Sequence, residues 1–245
     1  MSDQTVYTGG ICYIREKGNL PWFDMGEVDT LALAHDREKK SLPTNRTCAG
    51  GNRNSFFVVN GVDLSLKMLE FDANNLNIGL FANSATVVAG TIADEEHDAT
   101  GGGFVKFVYP PSENITIEDT AGGGGVTYAE GTDYEIRTGG INVVSGGAIS
   151  GVIYANYDHD GLTITQALTE GGKEYEFLFD GLNKASNCDP FTLEVFRFKP
   201  GIAETLELIT GEYMGMDLSG EILVDEAKTG TNESQYYTIT QKTPV

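Results

Sequence analysis

The sequence has few of the residues that mark a disulfide-rich, zinc-binding or membrane-spanning protein. Its three cysteines, Cys12, Cys48 and Cys188, are odd in number, far apart and without a CxxC pair. This spacing argues against a disulfide framework or a zinc site and favours reduced thiols. No segment approaches about 18 consecutive apolar residues, so we expect no membrane span. The N-terminus has no apolar run behind basic residues, so we expect no signal peptide.

Basic residues are also scarce. The chain has 16 Lys and Arg against 36 Asp and Glu, which gives a net charge of −20 and a pI near 4.3. Because nucleic-acid binding depends on neutralising phosphates with Lys and Arg, the composition argues against ordinary DNA or RNA binding. Acidity of this kind indicates solubility and does not identify a function.

Proline is sparse, with 7 residues, whereas glycine is abundant, with 31. Excess glycine without a collagen period is typical of turns, bulges and hairpin loops. Apolar residues make up 40% and aromatic residues 10% of the chain, as in a folded protein. A length of 245 residues allows one large β domain or two modest ones, each with a sizeable core.

The segment 61–82 contains a change of hydrophobic period. Val62, Leu64, Leu66 and Met68 alternate with polar residues, which predicts a half-buried strand. From Asp72 onward the apolar residues recur at helical spacing. The pattern predicts a short amphipathic helix over about 72–82, with Asp72 as its N-cap. The apolar face predicted for this helix consists of Ala73, Leu76 and Leu80.

The remainder of the chain indicates short strands separated by glycine-rich turns. The segment 175–179 places Tyr175, Phe177 and Phe179 on one face, and strands are also predicted at 191–196, 204–209 and 214–225. We therefore predict a mainly β fold, an antiparallel β-sandwich or barrel with one short flanking helix and long loops. The predicted organisation is a single domain over 1–245, with a Gly-rich β-hairpin insertion at about 100–160.

One polar stretch, residues 35–55, holds a concentration of basic residues without any strand or helix period. We predict a long loop here, because a polar stretch of this length in a compact domain usually has a function or is disordered. Two interpretations stay open: a solvated loop, or an arm that orders against an acidic surface of a neighbouring copy. The candidate contact residues are Arg37, Lys39, Lys40, Arg46 and Arg53. The only tryptophan, Trp22, is a candidate core residue or interface aromatic.

No arrangement of residues predicts catalysis or metal binding. The acidic segment 94–98 is consecutive, so its side chains would splay to both sides, and we interpret it as a solvated turn. The segment beginning at Asp158 lacks the glutamate that a calcium loop needs at its twelfth position. His35, His97 and His159 have no Ser or Cys motif to pair with, and we expect them to be solvated.

The order of several blocks resembles the major tail tube proteins of long-tailed, siphovirus-type bacteriophages. These blocks are the loop with Ala49-Gly50-Gly51, VDLSLKMLEFDANNLNIGLFA, GTDYEI, TGGINVVSGGAISG, VIYANY, GKEYEFLFDGLN and the ending KTGTNESQYYTI. The resemblance covers roughly residues 20–240, and it lies in the succession of the blocks.

The resemblance implies a structural virion protein that assembles into stacked, hexameric rings around a lumen through which DNA passes without specific binding. It implies other tail proteins as partners, such as the tape measure and tail terminator, and a location in the virion tail after synthesis in the host cytoplasm. It implies no enzyme activity, no catalytic or metal site and no cofactor. The loop 35–55 takes the place of the arm that contacts the adjacent ring.

Two alternatives come from other classes. One is a carbohydrate- or protein-binding β-sandwich whose aromatic platform would be Tyr154, Tyr157, Tyr236 and Tyr237. The other is a hydrolase that uses paired Asp and Glu side chains, for which an acidic chain offers many pairs and no specific signal.

Overall fold

The structure is a computed structural model that describes residues 5–242 apart from 20, 47–49, 210 and 212. It divides into two compact units, a first unit of residues 1–84 and 165–245 and a second unit of residues 85–164. The strands are β1 Thr8–Glu16, β2 Phe23–Asp24, β3 Val28–Pro43, β4 Asn52–Met68, β5 Asn83–Val87, β6 Gly90–Asp98, β7 Gly103–Lys106, β8 Glu113–Glu118, β9 Tyr134–Arg137, β10 Gly140–Val143, β11 Val152–His159, β12 Leu162–Gln166, β13 Tyr175–Asn183, β14 Asp189–Pro200, β15 Met216–Ile222 and β16 Tyr237–Gln241. The helix is α1, Ala73–Leu80.

The first unit is built on one antiparallel sheet with the strand order β2-β1-β13-β14-β15-β4-β3, and β16 pairs with β14. The sheet is open, because β2 and β3 end the order and do not pair with each other. The predicted mainly β, antiparallel fold with one short helix is therefore confirmed. Of its two forms, a closed barrel is not formed by the described residues.

The core of the first unit lies on one face of this sheet. The alternation predicted for β4 is confirmed, since Val62, Leu64, Leu66 and Met68 are buried while Asp63 and Ser65 are exposed. In β13 the inward residue Phe177 is fully buried. The strand β15 adds Met216, Leu218 and Ile222 to the same cluster. A half-buried antiparallel sheet produces this two-residue period.

One strand departs from the predicted alternation. In β14, Val195 pairs with Phe177 and Phe198 with Tyr175, so the register shifts by one residue between these pairs. This bulge turns Phe198 into the buried cluster with Val195, three residues after it rather than two. Phe196 is also buried, but it lies outside this cluster, with the Lys228 ammonium 4.3 Å from its ring centroid. An inserted residue changes the face of every side chain that follows it.

The helix α1 begins where the sequence predicted, but it buries a different face. The Oδ1 of Asp72 accepts a hydrogen bond from the backbone N–H of Asn75 at 2.7 Å, which confirms the N-cap. The fully buried residues are Asn75, Ile78 and Gly79. Of the predicted face, Ala73, Leu76 and Leu80 are half-buried, and Leu80 packs against the buried cluster. Gly79 packs so closely against buried Met216 that a Cβ there would fall 2.5 Å from the methionine methyl group.

The second unit is a small antiparallel sandwich with its own core. One three-stranded sheet has the order β6-β11-β8 and the other β7-β10-β9. Buried residues from both sheets form one cluster, including Ile117 and Ile153 from the first and Ile141 from the second. The hairpin insertion predicted at about 100–160 falls within this unit. The acidic segment 94–98, predicted to be a turn, belongs to strand β6.

Two further predictions are wrong. Residues 35–55 do not form an irregular loop, because residues up to Pro43 continue β3 and residues from Asn52 begin β4. Conversely, residues 204–209 do not form a strand and make only an isolated bridge between Leu206 and Met216.

Among the residues that the structure describes, no helix is both long and apolar enough to cross a membrane.

Candidate functional site

The most distinctive surface of the first unit is a long hairpin formed by the ends of β3 and β4. We call residues 35–46 and 50–60 the arm. All of them except Thr44 are exposed, although the two strands pair as far as Pro43 and Asn52. The backbone N–H of Thr44 also donates to the carbonyl of Gly51 at 2.8 Å. The arm is therefore a two-stranded ribbon with solvent on both faces.

The arm presents large apolar side chains to solvent. Phe56 is 60% exposed, Phe57 58%, Val59 55% and Leu42 56%. Outside the arm, exposed apolar residues are concentrated at Leu208, Ile209 and Tyr213 and are otherwise mostly scattered, as is normal for a protein surface. A contiguous exposed apolar patch instead marks an interaction surface.

The two faces of the arm differ in charge. On one face, Arg37 lies opposite Val59 and Lys39 lies opposite Phe57. The guanidinium of Arg37 is 5.3 Å from the ring centroid of Phe57, a cation–π distance. We call this face, which carries two cations and no carboxylate in this register, the basic face.

The opposite face of the arm is electrically balanced. Lys40 forms an ion pair with Glu38, and these residues lie opposite Phe56 and Val58. Both side chains of the ion pair are half exposed. An exposed pair of this kind contributes little to stability. The free positive charge of the paired strands therefore lies on the basic face.

The remaining basic residues predicted for this region are placed near the tip. Arg46 follows the end of β3, and Arg53 lies in β4 at the bulge between Leu42 and Pro43 on the partner strand. The arm contains five Lys and Arg residues and two Asp and Glu residues. It therefore has an excess of three positive charges within a chain of net charge −20. The fold thus brings all five predicted contact residues into one ribbon.

The base of the arm is tied to the sheet. The Nε2 of His35 lies 3.0 Å from the hydroxyl of Tyr237 on β16. The described residues of the arm other than Thr44 are exposed, and an isolated two-stranded ribbon is only marginally stable in water. A ribbon of this length with apolar side chains on both faces has the properties of a surface that a partner covers.

The outer face of the sheet, opposite the core, is mostly acidic. Exposed carboxylates lie on four neighbouring strands, and Asp63 and Glu221 are direct cross-strand partners. Such like-charged pairs are destabilising unless neighbours compensate, and here Lys199 lies opposite Glu221 on its other side. The exposed acidic residues of this face are Asp63, Asp180, Glu194, Asp217 and Glu221; Lys199 is an exposed basic residue of the face, and Lys67 and Arg15 are half-buried basic ones.

Trp22 lies outside the buried cluster. It is half-buried, and the guanidinium of Arg15 covers its ring at 4.3 Å from the centroid. Arg15 also pairs with Glu176 on the neighbouring strand. Trp22 is therefore not a residue of the buried core, and its role as an interface aromatic stays a prediction.

The aromatic platform predicted for a glycan-binding alternative is not present as predicted. Tyr157 is only 1% exposed, and its hydroxyl donates to the Glu95 carboxylate. Burial raises the pKa of Tyr157 to about 12, and this hydrogen bond is the second contribution to the rise. Tyr154, Tyr236 and Tyr237 are half-buried. Tyr157 is a core residue of the second unit.

The histidines are less exposed than predicted. His159 is 5% exposed, and its Nδ1 lies 2.9 Å from the carbonyl oxygen of Asp160. The ring of His97 stacks on Phe107 with centroids 5.3 Å apart, and its Nε2 lies 2.8 Å from the Glu95 carboxylate. Only His35, at the base of the arm, is exposed as predicted. Within the described ranges, no cluster of three or more His, Cys, Asp or Glu residues could hold a metal ion.

The described residues thus define a mainly β protein in which a basic and apolar hairpin projects from an open antiparallel sheet. The chain belongs to the family described as Protein of unknown function UCP028589, and the match covers residues 5–240. No curated protein matches the chain. Because the family carries no stated function, the function has to be argued from these surfaces.

Proposed function

We propose that this protein is the structural subunit of a bacteriophage tail tube. In this proposal it assembles into stacked rings of six copies whose lumen conducts DNA during ejection, with the tape measure and tail terminator proteins as further partners. It acts in the virion tail after synthesis in the host cytoplasm, and it acts without catalysis or a cofactor. The resemblance in the order of sequence blocks and the nature of the arm both support this function.

The observation that carries the proposal is the arm. A ribbon that exposes Phe56, Phe57 and Val59 and bears an excess of positive charge is poorly suited to a solitary soluble protein. The rest of the chain is strongly acidic, so another copy offers the arm a surface of opposite charge. Self-association therefore covers the apolar residues and pairs the basic ones.

The outer face of the sheet is consistent with a lumen wall. Its five exposed carboxylates, such as Asp63, Asp217 and Glu221, outnumber the basic residues Lys67, Lys199 and Arg15 of that face. A wall of like charge repels DNA phosphates, whereas a basic wall would bind them through counterion release. Screening decays over roughly 8 Å at physiological salt, so only carboxylates that face the lumen would affect the DNA.

The open sheet edges also favour assembly. The strand β3 ends the order of the sheet, and its outer side has no partner strand within the described residues. Unpaired edges of this kind tend to pair with another chain. Pairing between subunits would continue the sheet around a ring.

The test is the assembly state of the purified full chain over a wide range of concentration. We expect light scattering to show association and negative-stain microscopy to show rings or tubes with six-fold symmetry. The matched control replaces residues 38–58 with Asn-Gly, a two-residue turn suited to joining the register partners Arg37 and Val59. This variant should fold and remain monomeric. A wild-type chain that stays monomeric at every concentration would overturn the proposal.

A further inference from the structure

We propose that a loop at the far end of the sheet receives the basic face of the arm from a second copy of the chain. The inference rests on the proposed self-assembly and adds the contact partner within the subunit. The loop consists of residues 202–209 with Tyr213, and we call it the acceptor loop. It belongs to the first unit and connects β14 to β15.

The acceptor loop is held in place on its inner side. The backbone N–H of Ala203 donates to the carbonyl of Gly79 at 2.7 Å, and Leu206 bridges to Met216. The side chains of Ala203 and Leu206 pack against the buried cluster of the first unit. The loop is therefore an ordered support rather than a free connection.

The outer side of the acceptor loop is apolar and acidic. Leu208 is 72% exposed, Ile209 99% and Tyr213 89%. Glu204 and Glu207 are exposed beside them, and the segment 201–215 contains no Lys or Arg. This composition complements the basic face, where Arg37 and Lys39 accompany Phe57 and Val59. Apolar residues meet apolar residues, and the formal charges are of opposite sign.

The arm cannot reach the acceptor loop of its own chain. The loop lies at the end of the sheet where Asp29, Lys67, Leu69, Gly211 and Tyr213 line an open cavity of about 530 Å³. Leu69 follows the end of β4, whereas Phe57 lies about twelve residues earlier in the same extended strand. At about 3.3 Å per residue, this separation spans roughly 40 Å, and Glu204, which lies beside Ser65 and Leu66, is still roughly 26 Å from Phe57 along the strand. The arm would have to break its pairing to fold back, so the partner must be another copy.

This geometry makes the contact head-to-tail. Donor and acceptor are different surfaces at opposite ends of the paired strands β3 and β4. Heterologous contacts of this type repeat from copy to copy and form rings or open arrays. Repetition along the strand direction would stack subunits end to end.

A charge-swap rescue tests the assignment in the full chain. Arg37→Glu with Lys39→Glu, and separately Glu204→Lys with Glu207→Lys, should each raise the concentration needed for assembly about tenfold or more. The four substitutions together should bring it back close to the wild-type concentration. Circular dichroism should show that all variants fold. If the variant with all four substitutions assembles no better than the variant with Arg37→Glu and Lys39→Glu alone, the acceptor loop does not receive the basic face.

Disulfide trapping provides a second test that does not depend on charge. In a background with Cys48→Ser and Cys188→Ser, a Ser55→Cys chain is mixed with a Leu208→Cys chain and oxidised; Ser55 lies two residues from Phe57 on the same face of β4, so the aromatic ring is kept. We expect a cross-linked pair of the two chains. The matched control is Leu168→Cys, because Leu168 is 71% exposed against 72% for Leu208. Equal cross-linking to both positions would contradict the proposal.

The outcomes also separate this inference from the proposed function. If the wild-type chain assembles but neither rescue nor selective cross-linking occurs, the acceptor loop is wrong and the assembly function stands. If the wild-type chain never assembles, both proposals fail.

Discussion

Lys39 and Phe57 lie directly opposite each other across the arm, and both side chains face solvent. The neighbouring pair, Lys40 and Phe56, lies on the other face, where Lys40 is neutralised by Glu38. Two consecutive lysines therefore have different electrostatic surroundings. This difference provides a test of the arm in which two substitutions change the composition of the protein identically.

We expect Lys39→Glu to impair assembly more than Lys40→Glu. The first substitution places a carboxylate on the basic face, whereas the second disrupts an exposed ion pair worth about 1 kcal/mol or less. Sedimentation velocity over a concentration series should show a several-fold higher assembly concentration for Lys39→Glu alone. Equal effects of the two substitutions would show that charge on the basic face does not direct assembly.

Removing an aromatic ring from the arm should affect assembly without affecting the subunit. Phe57→Ser removes a side chain that is 58% exposed, so the free energy of unfolding of the monomer should change by about 0.5 kcal/mol or less. Assembly should be lost, because the ring is expected to be buried between copies. The matched control is Phe104→Ser, at a position 56% exposed in the second unit. Loss of assembly in both variants would point to a general solubility effect.

Two glycines on adjacent strands should respond differently to alanine. A Cβ at Gly220 would lie 2.3 Å from the carbonyl oxygen of Lys199, a backbone atom that cannot move without disturbing the sheet. A Cβ at Gly61 would have only the Glu221 carboxylate within contact range, at 3.7 Å. Gly220→Ala should therefore lower the free energy of unfolding by about 1–3 kcal/mol, and Gly61→Ala should have little effect. Urea titration monitored by circular dichroism measures both.

Asn75 should be critical for docking the helix. Its Nδ2 donates to the carbonyl of Met25 at 2.9 Å and to the carbonyl of Glu70 at 3.0 Å. Asn75→Ala leaves both carbonyls without this donor, and we expect a loss of about 1–3 kcal/mol. Asn74→Ala is the control, since Asn74 is exposed on the same helix and alanine is the better helix former there. Similar losses for both would mean that helix propensity, and not these hydrogen bonds, sets the cost.

The contact between Glu174 and Arg197 should make stability depend on pH. The Arg197 guanidinium donates to both carboxylate oxygens, at 2.7 and 2.8 Å, and these hydrogen bonds hold the pKa of Glu174 below its ordinary value of 4.5. Because the pKa is lower in the folded state, the stabilisation is complete above 4.5 and is lost as pH falls through the folded value.

The measurement compares the thermal midpoint of the wild-type protein with that of Glu174→Gln between pH 7 and pH 3. The difference removes the general effect of neutralising an acidic chain, which both proteins share. We expect the wild-type advantage to be present at neutral pH and to shrink below pH 4.5. A difference that stays constant over this range would show that the ion pair does not contribute.

Local patterns predicted the elements whose burial is one-sided. The alternation in β4 and β13 predicted strands because one face of the sheet is apolar and the other polar. The N-cap at Asp72 was predictable for a similar reason, since an aspartate before a change of period satisfies the free N–H groups of a helix. These are short-range effects in which a few neighbouring residues decide the structure.

Patterns failed where distant residues decide the structure. The arm has no period because both of its faces are exposed and both carry apolar and charged residues. Residues 204–209 alternate like a strand, yet only Leu206 reaches a partner. The helix buries Asn75 and Gly79 because the carbonyl of Met25 and the side chain of Met216 lie against them. None of these partners is close in sequence.

Composition and periodicity alone were sufficient to establish a folded, acidic, mainly β protein with a concentration of basic residues between 35 and 55. Pairing across the sheet decided that these basic residues line a projecting ribbon, with Lys39 and Lys40 on opposite faces. It also decided that the exposed acceptor loop lies at the other end of the same strands. Charge and hydrophobicity belong to individual residues and can be read along the chain, whereas a surface depends on which strands become neighbours, and that follows from contacts between residues far apart in the chain.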